Sequence, residues 1–221
     1  MTREPFSPAS SLPVGCSISS IRRGAVLLWQ LNSPDGFPRL TRAVLGELRR
    51  QIAKLVDSPD LCGAVITGTE KCFCAGAEVT EVAALNGVDS LQFAELGQSV
   101  MAAVERSPKP IVAAIRGYCM GGGFDLALAC HLRIATLDAV FAHRGAALGI
   151  ITGWGGTQRL PRVLGPRGGS IAPEIMITGR EIRAAEAYDL KLILRIVSAE
   201  NLMHEAVALA ASRRPQAGLA S

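Results

Sequence analysis

Residues 109–135 read Lys109-Pro-Ile-Val-Ala-Ala-Ile-Arg-Gly-Tyr-Cys-Met-Gly-Gly-Gly-Phe-Asp-Leu-Ala-Leu-Ala-Cys-His-Leu-Arg-Ile-Ala135. The run Ile111–Ile115 is apolar at every position and is set off by Ser107-Pro-Lys-Pro110. That pattern predicts a short strand buried on both faces. Arg116-Gly117 and the triplet Gly121–Gly123 interrupt it, a short apolar helix follows from Phe124 to Cys130, and Leu132-Arg-Ile-Ala135 reads as the next strand. Strand, glycine turn, helix and strand in succession are the signature of a parallel sheet with helical crossovers.

The same alternation extends in both directions. Gly24-Ala-Val-Leu-Leu-Trp-Gln-Leu31 predicts a strand closed by the turn Asn32-Ser-Pro-Asp-Gly36. Leu40, Val44, Leu45, Leu48, Ile52 and Leu55 recur at helical spacing. Gly63-Ala-Val-Ile-Thr67 is a buried strand stopped by Gly68, and residues 90–106 form a second amphipathic helix. Beyond Gly153 helical patterns return almost without interruption, with a strand at Ile193–Val197 and a last helix from Asn201 to about Ser212. The expected organisation is a loose arm over 1–12, one α/β domain over 13–212 and a frayed tail over 213–221.

A chain of 221 residues with 49% apolar and 19% charged residues is long enough for one sizeable core and is too apolar for low-complexity disorder. Twenty-three basic against nineteen acidic side chains leave only +4. The arginines are scattered rather than striped, which argues against nucleic acid as a partner. No apolar stretch reaches the ~20 residues of a membrane span and no leader pattern opens the chain. Six cysteines without C-x-x-C spacing and three histidines without ligand spacing point to small buried thiols in a reducing compartment rather than to a metal site. A soluble, cytoplasmic protein is expected.

Two glycine-bearing junctions stand out, Cys72-Phe-Cys-Ala-Gly-Ala-Glu78 after one buried strand and Gly117-Tyr-Cys-Met-Gly-Gly-Gly-Phe-Asp125 after the next. Small residues there let backbone N–H groups face a ligand, and the dipole of the following helix adds to the attraction. Two such junctions on neighbouring strands can aim two donors at one oxygen, as an oxyanion hole requires. The alternatives fit less well. No Gly-Lys-Ser/Thr follows, as a phosphate loop would need, and the glycines lie mid-chain rather than on the first strand as in a dinucleotide fold.

Phe73-Cys-Ala-Gly-Ala-Glu-Val79 resembles the F-x-A-G-A-D signature of the crotonase (enoyl-CoA hydratase/isomerase) superfamily. Lys109–Ala135 resembles its long glycine-rich block, Trp154-Gly-Gly-Thr-Gln-Arg-Leu-Pro-Arg162 its G-G-T-Q-R-L helix, and Ile177-Thr-Gly-Arg-Glu-Ile-Arg-Ala-Ala-Glu-Ala187 its L-T-G segment. The similarity runs in the family's order over roughly residues 20–200. It implies a crotonase-like spiral of β-β-α units, here with a shortened C-terminal helical region. It also implies a homotrimer or hexamer, an acyl-CoA substrate of the kind met in fatty-acid metabolism, and no metal or redox cofactor. By motif position the oxyanion-hole donors are the amides of Ala77 and Gly122, and Ala75, Ala77, Val79 and Gly122 line the CoA path.

The resemblance departs at the acid–base groups. The family's first catalytic glutamate falls on Asp125, and its second falls on Gly145 in Phe141-Ala-His-Arg-Gly145. From Ala139 to Pro173 the chain has no Asp or Glu at all. His143 and Arg144 are the polar groups nearby, and an imidazole at 143 is an acid–base candidate at neutral pH. A glutamate at position 145 is expected to face Asp125 across the thioester. His131, where the family usually has Asp, is expected to meet the C-terminal carbonyls of the glycine helix. The implied activity is a lyase or isomerase acting through a thioester enolate. Alternatives are a malonyl-type acyl-CoA decarboxylase, which the similarity of Gly149-Ile-Ile-Thr-Gly-Trp-Gly-Gly156 to some decarboxylases suggests, and a catalytically silent CoA-binding partner.

Overall fold

The computed structural model describes residues 15–212, so the arm over 1–12 and the tail over 213–221 lie outside the described residues. In chain order the elements are β1 (Ser17–Arg23), β2 (Val26–Asn32), α1 (Arg42–Asp57), β3 (Gly63–Thr67), β4 (Cys72–Cys74), α2 (Val79–Ala83) and α3 (Gly87–Glu105). They continue as β5 (Ile111–Ile115), β6 (Tyr118–Met120), α4 (Gly122–Ala129), β7 (Leu132–Thr136), β8 (Val140–Ala142) and α5 (Gly156–Val163). The last are α6 (Gly168–Thr178), β9 (Ile182–Arg183), α7 (Ala184–Asp189), β10 (Ile196–Val197) and α8 (Leu202–Ala211).

Six strands form the main sheet in the order β1-β2-β3-β5-β7-β10, parallel from β2 onward, with β1 antiparallel at the edge. Its central strands are covered twice. Ala64, Ile66, Ile111, Ala113 and Ile115 face the large core under α1, α3 and α4, while Val65, Val112, Ala114 and Ile134 face Leu202, Ala206 and Ala210 of α8. Burial on both faces is why Ile111–Ile115 carries no polar alternation. α1 starts at Thr41, whose side chain accepts from Val44 N, and buries Val44, Leu45, Leu48, Ile52 and Leu55.

A second sheet, β4-β6-β8-β9, was not marked by any local run of sequence and supplies the second strands of the β-β-α units that the resemblance implies. β4, β6 and β8 are three residues each, and each directly follows a strand of the main sheet. The repeated unit is therefore strand, short strand, helix, and successive units wind the chain as the resemblance implies. Gly117 makes the step from β5 to β6: its φ is +62°, and a side chain there would run into Lys71 O. Three further expectations are corrected. α3 begins at Gly87 because Asn86 caps it, accepting from Asp89 N. The strand expected at Ile193–Val197 is reduced to Ile196–Val197, since the amides of Leu192 and Ile193 fold back onto Ala187 O. The helical stretch beyond Gly153 is cut by β9, which pairs with β8.

Candidate active site

The second sheet positions the site. Chain leaving β4, β6 and β8 converges on a cavity of about 380 Å3, which the loop from Ile150 to Trp154 and the helix α3 also border. Ala75, Ala77, Val79, Gly122, Asp125 and His143 all line it, as do Arg144 and Gly145. Val79 is exposed on the rim and Asp125 and His143 are buried at depth. Most of the remaining wall is apolar, including Val82, Leu85, Phe93, Trp154 and Met176. Arg144 is exposed and paired with Glu181 at 3.2 Å.

The two glycine junctions meet on one side of this cavity. A Cβ built on Gly76 would lie 3.3 Å from Gly122 N, and one built on Gly122 would lie 3.4 Å from Ala77 N. Neither the Ala77 nor the Gly122 amide donates a hydrogen bond among the described residues. Gly122 opens α4, where amides have no partner within the helix. Its other neighbour is the Trp154 ring, 2.5 Å from the place a Cβ would take. Trp154 in turn fills the space left by Gly97 of α3 and meets Phe93 edge-on at 5.3 Å.

Asp125 projects from the first turn of α4. Thr152 Oγ1 donates to its Oδ2, while Oδ1 has no hydrogen-bond partner among the described residues. Burial outweighs Thr152, Arg159 and the nearby amides of Trp154 and Gly156, and pushes the carboxyl up to about 6. His143 Nε2 stands 3.5 Å from Oδ1, and its ring stacks on Phe124 at 4.8 Å between centroids. Neither ring nitrogen is hydrogen-bonded among the described residues. Burial lowers His143 to about 4, so at neutral pH it is a neutral imidazole.

Two sequence expectations change here. Gly145 borders the cavity, but a Cβ on it would stand 2.5 Å from Ile150 O, whose own amide bonds back to Gly145 O. A glutamate at that position has no room without moving the loop backbone. The C-terminal carbonyls of α4 are bonded by Arg133, whose guanidinium reaches Ala127 O, Cys130 O and Leu192 O, whereas His131 Nδ1 accepts from Ile111 N.

The sequence reading also missed the supports of Asp125. Gly156 lies so close that a Cβ would run into Asp125 Oδ1 and come within 2.9 Å of His143 Nε2. Arg159 ties α5 to this region through Trp154 O at 2.9 Å and Glu105 at 2.8 Å. The glycine pair and arginine of Gly155-Gly-Thr-Gln-Arg159 were visible as a motif, but their partners are far away in sequence.

A family model described as enoyl-CoA hydratase/isomerase matches residues 22–217. The chain is 36% identical over 176 residues to a crotonyl-CoA hydratase of Syntrophomonas wolfei, covering 79% of this chain and 66% of that protein. It is 33% identical over 190 residues to a short-chain-enoyl-CoA hydratase of Clostridium acetobutylicum, covering 86% and 72%. The chain thus spans about two thirds of the length of these relatives. Among solved structures, an enoyl-CoA hydratase from Bacillus anthracis superposes with a TM-score of 0.82 at 35% identity, over 87% of this chain and 74% of that one. Pseudomonas aeruginosa DspI superposes with a TM-score of 0.84 at 30% identity, over 92% and 76%.

Proposed function

Because the chain belongs to the enoyl-CoA hydratase/isomerase family, we propose that it hydrates an enoyl-CoA thioester with Asp125 as its one acid–base carboxylate. The observation that carries this reading is the placement of a buried carboxylate oxygen in the same cavity as two backbone amides, all three without a hydrogen-bond partner among the described residues. The thioester oxygen sits between the amides of Ala77 and Gly122, which stabilise negative charge as the enolate forms. Ionised Asp125 takes a proton from a water molecule as its oxygen bonds to the β-carbon. The same carboxyl then returns that proton to the α-carbon as the enolate collapses, so one H and one OH are added. Neutral His143, close to Oδ1, orients the water by hydrogen bonding.

Ala75, Val79 and the rim beside them contact the CoA moiety in this reading, the thioester is the substrate, and the chemistry uses no metal or redox cofactor. A trimeric or hexameric assembly belongs to the same reading and is checked by light scattering. The test is hydration of crotonyl-CoA in D2O, followed by mass spectrometry for deuterium at the α-carbon. Asp125→Asn is expected to lower the rate ~100-fold or more while the thioester still binds. Thioester binding without any turnover would favour a silent CoA-binding protein.

One observation favours a second reading. Asp125 is the only carboxylate among the described residues that line the cavity. Decarboxylation of a malonyl-type thioester makes the enolate by losing CO2 and calls for no base at the α-carbon. Release of CO2 from malonyl- or methylmalonyl-CoA, with crotonyl-CoA left unchanged, would select it.

A further inference from the structure

A carboxylate has two oxygens, and an acid–base group must present the correct one. Asp125 sits on α4, yet the hydroxyl that holds it comes from a loop 27 residues later in the chain. Thr152 Oγ1 donates to Oδ2, the Gly156 backbone packs against Oδ1, and the amides of Trp154 and Gly156 lie near enough to favour the charge. Thr152 lines the same cavity. With Oδ2 tied to the hydroxyl, Oδ1 is the oxygen left facing His143 and the open space.

We infer that Thr152 is the positioning residue for Asp125, its hydroxyl fixing the carboxylate rotamer and leaving Oδ1 as the reacting oxygen. The inference rests on Asp125 being the acid–base group. Thr152 touches no reacting atom in this scheme and acts through Asp125. Without the hydroxyl the carboxylate is free to turn either oxygen toward the cavity, and the buried anion loses its side-chain donor.

The ionisable groups packed around Asp125 are few. His143 follows β8, Arg159 comes from α5, Cys119 from β6, and Cys74 of β4 lies under Gly123. Glu105 at the end of α3 is bound to Arg159. Burial keeps both thiols protonated, so Arg159 is the one fixed cation in the group and Thr152 the one side-chain hydrogen-bond donor to Asp125 among the described residues.

The experiment titrates Asp125 by carboxyl-carbon NMR on protein labelled with 13C-aspartate, the resonance being assigned by its loss in Asp125→Asn. Three further proteins are compared: the natural chain, Thr152→Val, which keeps the shape and loses the donor, and Thr152→Ser, which keeps the donor. The midpoint in Thr152→Val is expected to move up by about one pH unit or more, the size of a lost charge-assisted hydrogen bond. Thr152→Ser should titrate with the natural chain.

In the activity arm, the acid limb of the kcat profile with crotonyl-CoA should move up by the same amount in Thr152→Val, kcat falling more than KM rises. An unmoved or lowered midpoint in Thr152→Val overturns the inference, as does Thr152→Ser behaving like Thr152→Val. If Thr152→Val does not fold, the same readings are taken on Thr152→Ala. The NMR arm needs no turnover. A natural chain that hydrates nothing therefore counts against the proposed reaction, while the midpoints still decide whether Thr152 holds the carboxylate.

Discussion

His143 Nε2 lies 3.5 Å from Asp125 Oδ1, with both side chains buried and neither atom hydrogen-bonded among the described residues. Desolvation drives the two groups in opposite directions, Asp125 up to about 6 and His143 down to about 4, so both are neutral in the folded protein between those values. At neutral pH the pair is a carboxylate beside a neutral imidazole. In the proposed reaction, proton transfer then falls to Asp125 and hydrogen bonding to His143.

This gives stability a definite pH dependence. The Asp125 contribution is fully present below its ordinary value of 3.8 and is lost as pH rises through about 6, because the folded state holds the proton longer. The His143 contribution is present above 6.5 and is lost as pH falls through about 4. Asp125→Asn, which never ionises, should therefore raise the thermal midpoint more at pH 8 than at pH 4.5. The displacement of Asp125 corresponds to at most ~3 kcal/mol. Thermal scans at the two pH values check this, and an equal effect at both would contradict a buried carboxylate.

Gly156→Ala tests the space beside that carboxylate. The added methyl would run into Asp125 Oδ1 and crowd His143 Nε2, so it should displace the pair and lower hydration ~100-fold, the scale of losing a positioned acid–base group. Affinity for CoA, measured by calorimetry, should change little because the atoms nearest the added methyl belong to Asp125, His143 and Thr152 and not to Ala75 or Val79. Near-natural turnover would show that the carboxylate does not act from this position.

Gly145→Glu is expected to destabilise the fold without raising hydration. Its Cβ would meet Ile150 O, a backbone atom, and overpacking of this kind costs roughly 1–3 kcal/mol. Gly145→Ala should show most of the same loss in denaturant titrations. A stable Gly145→Glu protein with faster hydration would mean that the loop yields and that a second carboxylate can be accommodated.

Arg133→Met addresses the fold away from the cavity. The guanidinium bonds Ala127 O, Cys130 O and Leu192 O from a half-buried position, joining the end of α4 to the chain after α7. Removing it takes the side-chain donor from Cys130 O and Leu192 O, while Ala127 O keeps the Cys130 amide, at a cost of about 2–4 kcal/mol. Denaturant unfolding measures this, and His131→Ala supplies the comparison at the neighbouring position.

Local sequence settled more of the main sheet than of the site. Gly63–Thr67 and Ile111–Ile115 were legible to the residue, because a strand covered on both faces is an unbroken apolar run. The two glycine junctions were legible because close backbone approach excludes side chains, and the resemblance singled out Asp125 after the glycine triplet. Tertiary structure alone decided the rest. Strands as short as Cys72–Cys74 and Tyr118–Met120 leave no periodicity to read and exist only where sequence-distant chain pairs with them. The Thr152 bond to Asp125, the Ile150 carbonyl that closes the space at Gly145 and the choice of Arg133 over His131 at the end of α4 are contacts set by packing. The opposite shifts of Asp125 and His143 have the same origin, since desolvation belongs to the folded interior and to no stretch of sequence.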